Sequence, residues 1–335
     1  MSFFKGKRIL VAGGTGMVGI QLVNRLIERC DAEVRIASMD DKSRAHPTAE
    51  FIKTDLRVYE NCREVCHNMD LVFNLLGVKG SPAVVQKYPE RFFYNMVMLN
   101  INLMEAACQE KVEGFLYTSS NGVYKPAEIM LEDDMKMWET PPSPNDEFAG
   151  GAKQIGEFQA RACQLEYGIP ITVVRPSNIF GPWDNFDSEN AMVVPSLIKK
   201  AIEAAEKDKP MEVWGDGSPE RDFIYAGDVA RCMLAVMEIA PGQIVNISSG
   251  KGTSIKKLAE TIASLVGQML KKNISIQFDA SKPSGDKKRV LDNTRLRSLG
   301  YQPNFSLEGA LGETIYWYLG NRSQTKNRFE AIEQK

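Results

Sequence analysis

Short apolar runs alternate with amphipathic stretches through the first half of the chain. Arg8–Gly14 (RILVAGG) is predicted to be a buried strand, and Met17–Glu28 carries apolar residues at helical spacing. Glu33–Ser38 (EVRIAS), Glu50–Asp55 (EFIKTD) and Asp70–Gly77 (DLVFNLLG) give three further strands. A helical stretch over Arg91–Gln109 leads into the strand Gly114–Ser120 (GFLYTSS), and the helix Ala149–Tyr167 leads into Ile171–Pro182 (ITVVRPSNIFGP). Repeated alternation of strand and helix, with β-branched apolar runs, predicts an α/β fold whose parallel sheet is covered on both faces.

Beyond Gly181 the rhythm changes, because prolines, a tryptophan and the run GDGSPERDF cut the chain into shorter elements. The pattern predicts a first domain over residues 1–180, to which 223–246 and 306–320 return. A smaller α/β lobe is expected from 181–222 and 247–305, and 321–335 reads as a loose tail.

The run GGTGMVG, residues 13–19, directly follows the first strand and opens the first helix. In that position Gly13 makes a tight turn, Gly16 lets the backbone approach a pyrophosphate and Gly19 lets the helix sit close to the sheet. The free N–H groups around Thr15, Met17 and Val18, together with the helix dipole, then face the phosphates. The residue that receives the adenosine ribose usually ends the second strand, which here is Ser38, with Asp40 and Asp41 just beyond and Lys42 and Arg44 close by. A small residue with cations nearby suits the 2′-phosphate of NADP, whereas Asp40 would suit NAD; the reading leans to NADP. Asp55, after the third strand, is placed to bond an adenine amine, or is a surface aspartate.

Composition narrows the class without naming it. The chain has 335 residues, 43% hydrophobic and 25% charged, with net charge −2, so nothing in it favours nucleic acid or an anionic membrane surface. No apolar run approaches the length of a membrane span. The six cysteines are irregularly spaced and form no disulfide framework, which fits a reducing cytoplasm. Cys62, Cys66 and His67 would suggest a metal, but with only two histidines in the chain none is expected.

Several motifs then occur in one order: GGTGMVG, TDL after the third strand, YTSS after the fifth, Lys153 on the next helix, RPSNIFGP, GDGSPERDFIYAGDVA and KPSGDKKRVLDNTRLRSLGY. With them the chain resembles the extended short-chain dehydrogenase/reductases, the nucleotide-sugar epimerases, dehydratases and reductases. GPWDNFDSENAMVVPSLIKKA looks most like the GDP-L-fucose synthase branch, which reduces and epimerises a GDP-4-keto-6-deoxyhexose. The resemblance implies a Rossmann-type doubly wound sheet of about seven strands, a C-terminal lobe for a nucleotide-diphosphate sugar, and a homodimer through two helices per subunit. It implies cofactor contacts from Gly13, Gly16, Gly19 and Asp55, with Leu56, Leu76, Gly77, Lys79 and Pro176 beside them and Lys153 on the nicotinamide ribose. Asn178, Asn190, Val193, Lys199, Trp214, Arg221 and Lys287 would lie along the substrate. Arg221 has a rationale of its own, since a guanidinium fork fits a diphosphate bidentately, although an ion pair with Glu220 or Asp222 would also explain it.

In this family the helix that bears Lys153 reads Tyr-x-x-x-Lys. A phenol of pKa ~10 is a poor base at neutral pH, and a lysine one turn away stabilises its anion. Here the position four before Lys153 is Ala149, and Phe148 lies on another face and lacks a hydroxyl. The branch's epimerising cysteine and histidine are replaced by Gly122 and Met192. A fucose-synthase mechanism as usually drawn therefore does not run in this chain. Ser119 and Ser120 are present, and Ser120 with Lys153 is the preferred substitute relay. Tyr124 and Lys79 are alternatives, each set against a plain packing or surface role.

Three readings follow. One is an NAD(P)-dependent oxidoreductase or epimerase acting on a nucleotide sugar through an altered proton relay. Another is a non-catalytic dinucleotide or nucleotide-sugar sensor. In the last, Ala149 was introduced to trap substrate, which leaves Gly122 and Met192 unexplained.

Overall fold

A computed structural model of the chain describes residues 2–78, 82–125, 129–130, 141–144, 146–186, 191–282 and 286–322. The order of elements is β1 (Arg8–Ala12), α1 (Met17–Cys30), β2 (Glu33–Ser38), β3 (Glu50–Lys53), α2 (Tyr59–Cys66), β4 (Leu71–Asn74), α3 (Pro82–Lys87), α4 (Pro89–Gln109) and β5 (Gly114–Thr118). There follow β6 (Ile129–Met130), α5 (Glu147–Tyr167), β7 (Ile171–Pro176), β8 (Asn178–Phe180), α6 (Val193–Lys207), β9 (Met211–Trp214), β10 (Glu220–Tyr225) and α7 (Ala226–Ile239). The last are β11 (Ile244–Ile247), β12 (Gly252–Ser254), α8 (Ile255–Leu270), β13 (Ile276–Asp279), β14 (Lys288–Leu291), α9 (Thr294–Ser298) and α10 (Leu307–Asn321).

The main sheet has seven strands in the order β11-β7-β5-β4-β1-β2-β3, and every pairing in it is parallel. The strands are apolar on both faces because helices cover both. Ile9 and Val11 face a core with Leu22 and Leu26 of α1 and Met233 of α7. Leu10 and Ala12, one residue out of phase, face Val65 of α2, Leu103 of α4 and Ala160 of α5. The chain leaves β1 for β2 and β3 on one side, then crosses back to β4 on the other. That reversal opens the crevice at the carboxyl ends of β1 and β4 where α/β sheets bind ligands.

The smaller lobe holds a sheet in the order β12-β10-β14-β6, with β8 paired to β10, and a two-stranded sheet of β9 and β13. Its core joins α6, α8 and α10 to β9 and β10.

Three expectations need correction. The predicted strand over Ile171–Pro182 splits after Pro176, and Asn178–Phe180 leaves the main sheet to pair with Phe223–Tyr225. The closing helix does not return to the main sheet: Ala310, Leu311, Ile315 and Tyr318 pack in the core of the smaller lobe. Of the segment 223–246, α7 and the edge strand β11 do return, while Phe223–Tyr225 stays in the lobe's sheet.

Candidate active site

The glycine turn has the geometry of a phosphate cradle. Gly13 takes φ 80°, and a Cβ there would lie 3.3 Å from the Leu75 carbonyl oxygen. A Cβ on Gly19 would come 2.3 Å from the Gly13 oxygen, so α1 rests directly on the turn. Gly16 caps α1 and no side chain bonds the helix start. Its first N–H groups, which have no carbonyl partner within the helix, are therefore available to an anion. A dinucleotide pyrophosphate fits this cradle.

At the end of β2 the candidate ribose residues form one buried cluster. Thr15 Oγ1 donates to Asp40 Oδ2 at 2.8 Å and lies 2.7 Å from Ser38 Oγ. Arg44 donates to the Thr15 carbonyl, with its Nε 3.8 Å from Asp40 Oδ2 and its guanidinium over the Trp183 ring. A carboxylate and a guanidinium thus meet at the end of β2. Further along, Arg57 grips both oxygens of Asp55 and holds its carboxyl below the usual range, leaving an adenine amine only the remaining lone pairs. Leu56 is buried behind it.

Lys153 lies under the ends of β4 and β5. Its Nζ donates to the Leu76 carbonyl at 3.0 Å and to the Thr118 carbonyl at 2.7 Å. The Asn74 side chain accepts from Leu76 N and so sets that loop, with Gly77 exposed just beyond. Burial pushes the Lys153 amine down to about 7, against the raising effect of the Glu157 charge. The half-buried Ser120 caps a short turn, its Oγ accepting from Gly122 N at 2.9 Å. Pro176, at the end of β7, is buried nearby in the sheet. Lys79 and Asn190 lie outside the described residues.

Two sequence candidates turn out to be core residues. Ser119 donates to Glu157 Oε1 at 2.5 Å, and Glu157 is gripped through both oxygens by the fully buried Arg175. Arg175 also donates to the Tyr124 hydroxyl, which donates to Asn246. This chain of partners satisfies a buried ion pair and engages both hydroxyls, which for Tyr124 is the packing role weighed in the sequence. The signal was in the sequence: an arginine inside the apolar run ITVVRP demands a buried anion.

The first turn of α5 explains its glycines. A Cβ on Gly150 would lie 2.1 Å from the Gly122 oxygen, so the helix packs backbone to backbone against the loop after β5. Gly122 is constrained separately: a Cβ there would lie 3.1 Å from Ser120 Oγ and 3.3 Å from Asp146 Oδ1. Gly151 faces open space. Ala149 packs against an apolar cluster of Val78, Phe92, Met96 and Ala152.

In the smaller lobe Arg221 and Arg289 are paired residues on adjacent parallel strands. Burial first, and then the Arg289 charge, push the Arg221 guanidinium below its ordinary range. Arg221 donates to the carbonyls of Glu220 and Asp286, and Arg289 pairs with Asp146 at the start of α5. Sequence reading missed Arg289 because its register against Arg221 is a non-local fact. Trp214 is 58% exposed, with Lys200 and Lys282 on its ring at 5.0 and 5.8 Å. Asn178 donates to the Asp222 carbonyl, Val193 opens α6, Lys199 is half-buried and Lys287 is exposed. Met192, exposed before α6, brings no proton-bearing group.

A model of the NAD dependent epimerase/dehydratase family matches residues 9–248. The chain is 29% identical over 331 residues to the GDP-L-fucose synthase of Escherichia coli (strain K12), covering 95% of this chain and 98% of that protein. It is 30% identical over 319 residues to GDP-mannose 3,5-epimerase 1 of Oryza sativa subsp. indica, covering 92% and 81%. Its fold matches the crystal structure of UDP-glucose 4-epimerase with UDP-glucose from Thermotoga maritima, with a TM-score of 0.81, 25% identity and coverage of 94% and 99%.

Proposed function

The chain belongs to the NAD dependent epimerase/dehydratase family, and from that premise we propose that it is an NAD(P)-dependent oxidoreductase or epimerase of a nucleotide-diphosphate sugar whose proton relay does not pass through position 149. The observation that carries this reading is Lys153, buried and bonded to the carbonyls of Leu76 and Thr118 at the carboxyl end of the sheet. A lysine is costly to bury there unless a ligand uses it.

The phosphate turn, Ser38, Arg44 and Asp55 would hold NADP or NAD, with Gly77 and Pro176 along its nicotinamide half. When bound, the dinucleotide supplies the electron pair for oxidation or reduction at a sugar carbon. Ser120 orients the oxygen on that carbon by a hydrogen bond, and Lys153 holds the cofactor ribose and supplies positive charge beside the site. Trp214 offers its exposed face to the nucleotide base. Arg221 and Arg289 take the diphosphate, whose two charges relieve the repulsion between the guanidiniums. Lys199, Lys287, Asn178 and Val193 line the same path.

The outer faces of α4 and α5 support a homodimer, and the six buried free cysteines support a reducing, cytoplasmic setting. No described helix is long and apolar enough to cross a membrane.

The test is turnover of a panel of GDP-, UDP-, CDP- and dTDP-sugars, including a GDP-4-keto-6-deoxyhexose, with NADPH and NADH. Near-ultraviolet absorbance should change for at least one pair, and Lys153→Met should abolish the change. Tight binding of cofactor and nucleotide sugar with no turnover would overturn the enzymatic reading in favour of a sensor.

A further inference from the structure

The proposed chemistry needs a proton at the oxygen of the reacting carbon, and position 149 holds only a methyl group. Four of the ten tyrosines are committed to other hydrogen bonds. Tyr117 donates to the Lys153 carbonyl, Tyr124 to Asn246 and Tyr225 to Glu313. Tyr167 bonds Gln109 at the far end of α5. Tyr88 is the one phenol in the apolar cluster that holds Ala149, where both pack against Val78, Phe92, Met96 and Ala152.

The helix register brings the start of α4 level with the start of α5. Gln159 of α5 donates to the Ile101 carbonyl of α4, and Gln109 of α4 donates to Tyr167 of α5. Both contacts join residues 58 apart. The helices therefore run parallel with a constant offset, and Tyr88, the residue that caps α4, lies level with Asp146. That is three residues before Ala149, about 4.5 Å along the axis. Pro89 begins the helix immediately after it, and two cations lie by the ring: Lys87 Nζ at 5.2 Å and the Arg91 guanidinium at 5.4 Å from its centroid.

Resting on the oxidoreductase reading, we propose that Tyr88, at the start of α4 beside the cluster that holds Ala149, is the phenol that exchanges the proton at the reacting oxygen, with Lys153 and Ser120 completing the site. In the reducing direction the O–H bond of Tyr88 breaks, its proton forms the O–H bond of the new carbinol, and the electron pair comes from the reduced dinucleotide. The phenolate regains its proton from water. Oxidation runs the same steps backwards, so one residue serves either direction.

A crystal structure of the chain with NADPH or NADH bound gives a readout that needs no turnover. Tyr88 Oη is expected over the nicotinamide ring on the side of Ser120, bonded to its Oγ directly or through one water. A Tyr88 hydroxyl directed into bulk solvent overturns the assignment. In kinetics with a GDP-4-keto-6-deoxyhexose, Tyr88→Phe should lower kcat at least about 100-fold with KM within about twofold. Adding Ala149→Tyr to Tyr88→Phe should restore most of that loss, which a merely structural role for Tyr88 would not allow. An unchanged kcat in Tyr88→Phe overturns the proposal and returns the proton to Ser120 and Lys153. If the unmutated chain turns over no sugar, the oxidoreductase reading has failed, and the crystallographic placement of Oη decides the matter of Tyr88.

Discussion

At the scale of single residues, Lys153 makes the clearest demand. Its amine titrates at about 7 in the folded chain because burial disfavours the ammonium ion more than the Glu157 charge favours it. In the unfolded chain a lysine titrates near ~10.4. Between these values the unfolded state binds more protons, so stability rises with pH across that window, by up to about 1.4 kcal/mol per unit. Below about pH 7 both states are protonated and the full cost of the buried charge persists. Lys153→Met removes that cost along with the hydrogen bonds to Leu76 and Thr118, whose loss is the same at every pH. Relative to the parent, the variant should be more stable at about pH 6 than at about pH 9 by roughly 2–3 kcal/mol, read from urea midpoints. An equal difference at both values would mean that the amine stays charged throughout. Lys153 stood out in the sequence as a lone charge among small apolar residues and through the resemblance to Tyr-x-x-x-Lys. The partners of Ser119 and Tyr124 could not be read, because nothing local states that Glu157, on the next turn after Lys153, reaches across to Arg175 of β7.

At the scale of elements, α5 shows how neighbouring residues of one type obey different rules. Two consecutive glycines near the start of a helix predict a close approach, but the sequence does not say which glycine needs it. The structure separates them: Gly150 meets the Gly122 carbonyl, and Gly151 meets nothing. Gly151→Ala should therefore gain up to about 1 kcal/mol from helix propensity alone. Gly150→Ala carries the same propensity but forces α5 off the loop after β5, with an expected net loss of about 1–3 kcal/mol. Thermal midpoints shifting in opposite directions confirm the packing; a shared direction refutes it. The same distinction governs how much of the fold could be read. Strands buried on both faces announce themselves as continuous apolar runs, and the main sheet was legible for that reason. Asn178–Phe180 was not, because its partner is β10, more than forty residues later, and a short run carries no mark of which sheet it will join. The closing helix was misassigned for a related reason. Its apolar face says that it packs, but α6 and α8 decide where.

At the scale of the whole molecule, α4 and α5 carry two burdens at once. Their inner faces hold Tyr88, Ala149 and Lys153, while their outer faces expose Tyr94 at 52%, Phe158 at 62% and Leu165 at 79%. Ile155, Phe158 and Leu165 recur at intervals of three and seven, which puts them on one stripe of α5. A soluble monomer rarely presents so many large apolar side chains on one packed pair of helices. A second copy of the chain would cover the stripe on both partners at once, through a two-fold contact. Such a contact would also clamp α4 to α5 and fix the offset that brings Tyr88 level with the first turn of α5, so that assembly and catalysis share one structural element. Leu165→Glu combined with Phe158→Glu places two carboxylates in the middle of that contact and should weaken association at least about 100-fold, near 3 kcal/mol. Sedimentation should give a two-chain mass for the parent and a one-chain mass for the variant at the same concentration. A one-chain mass for the parent would remove the dimer, and with it any role for association in holding the two helices in register.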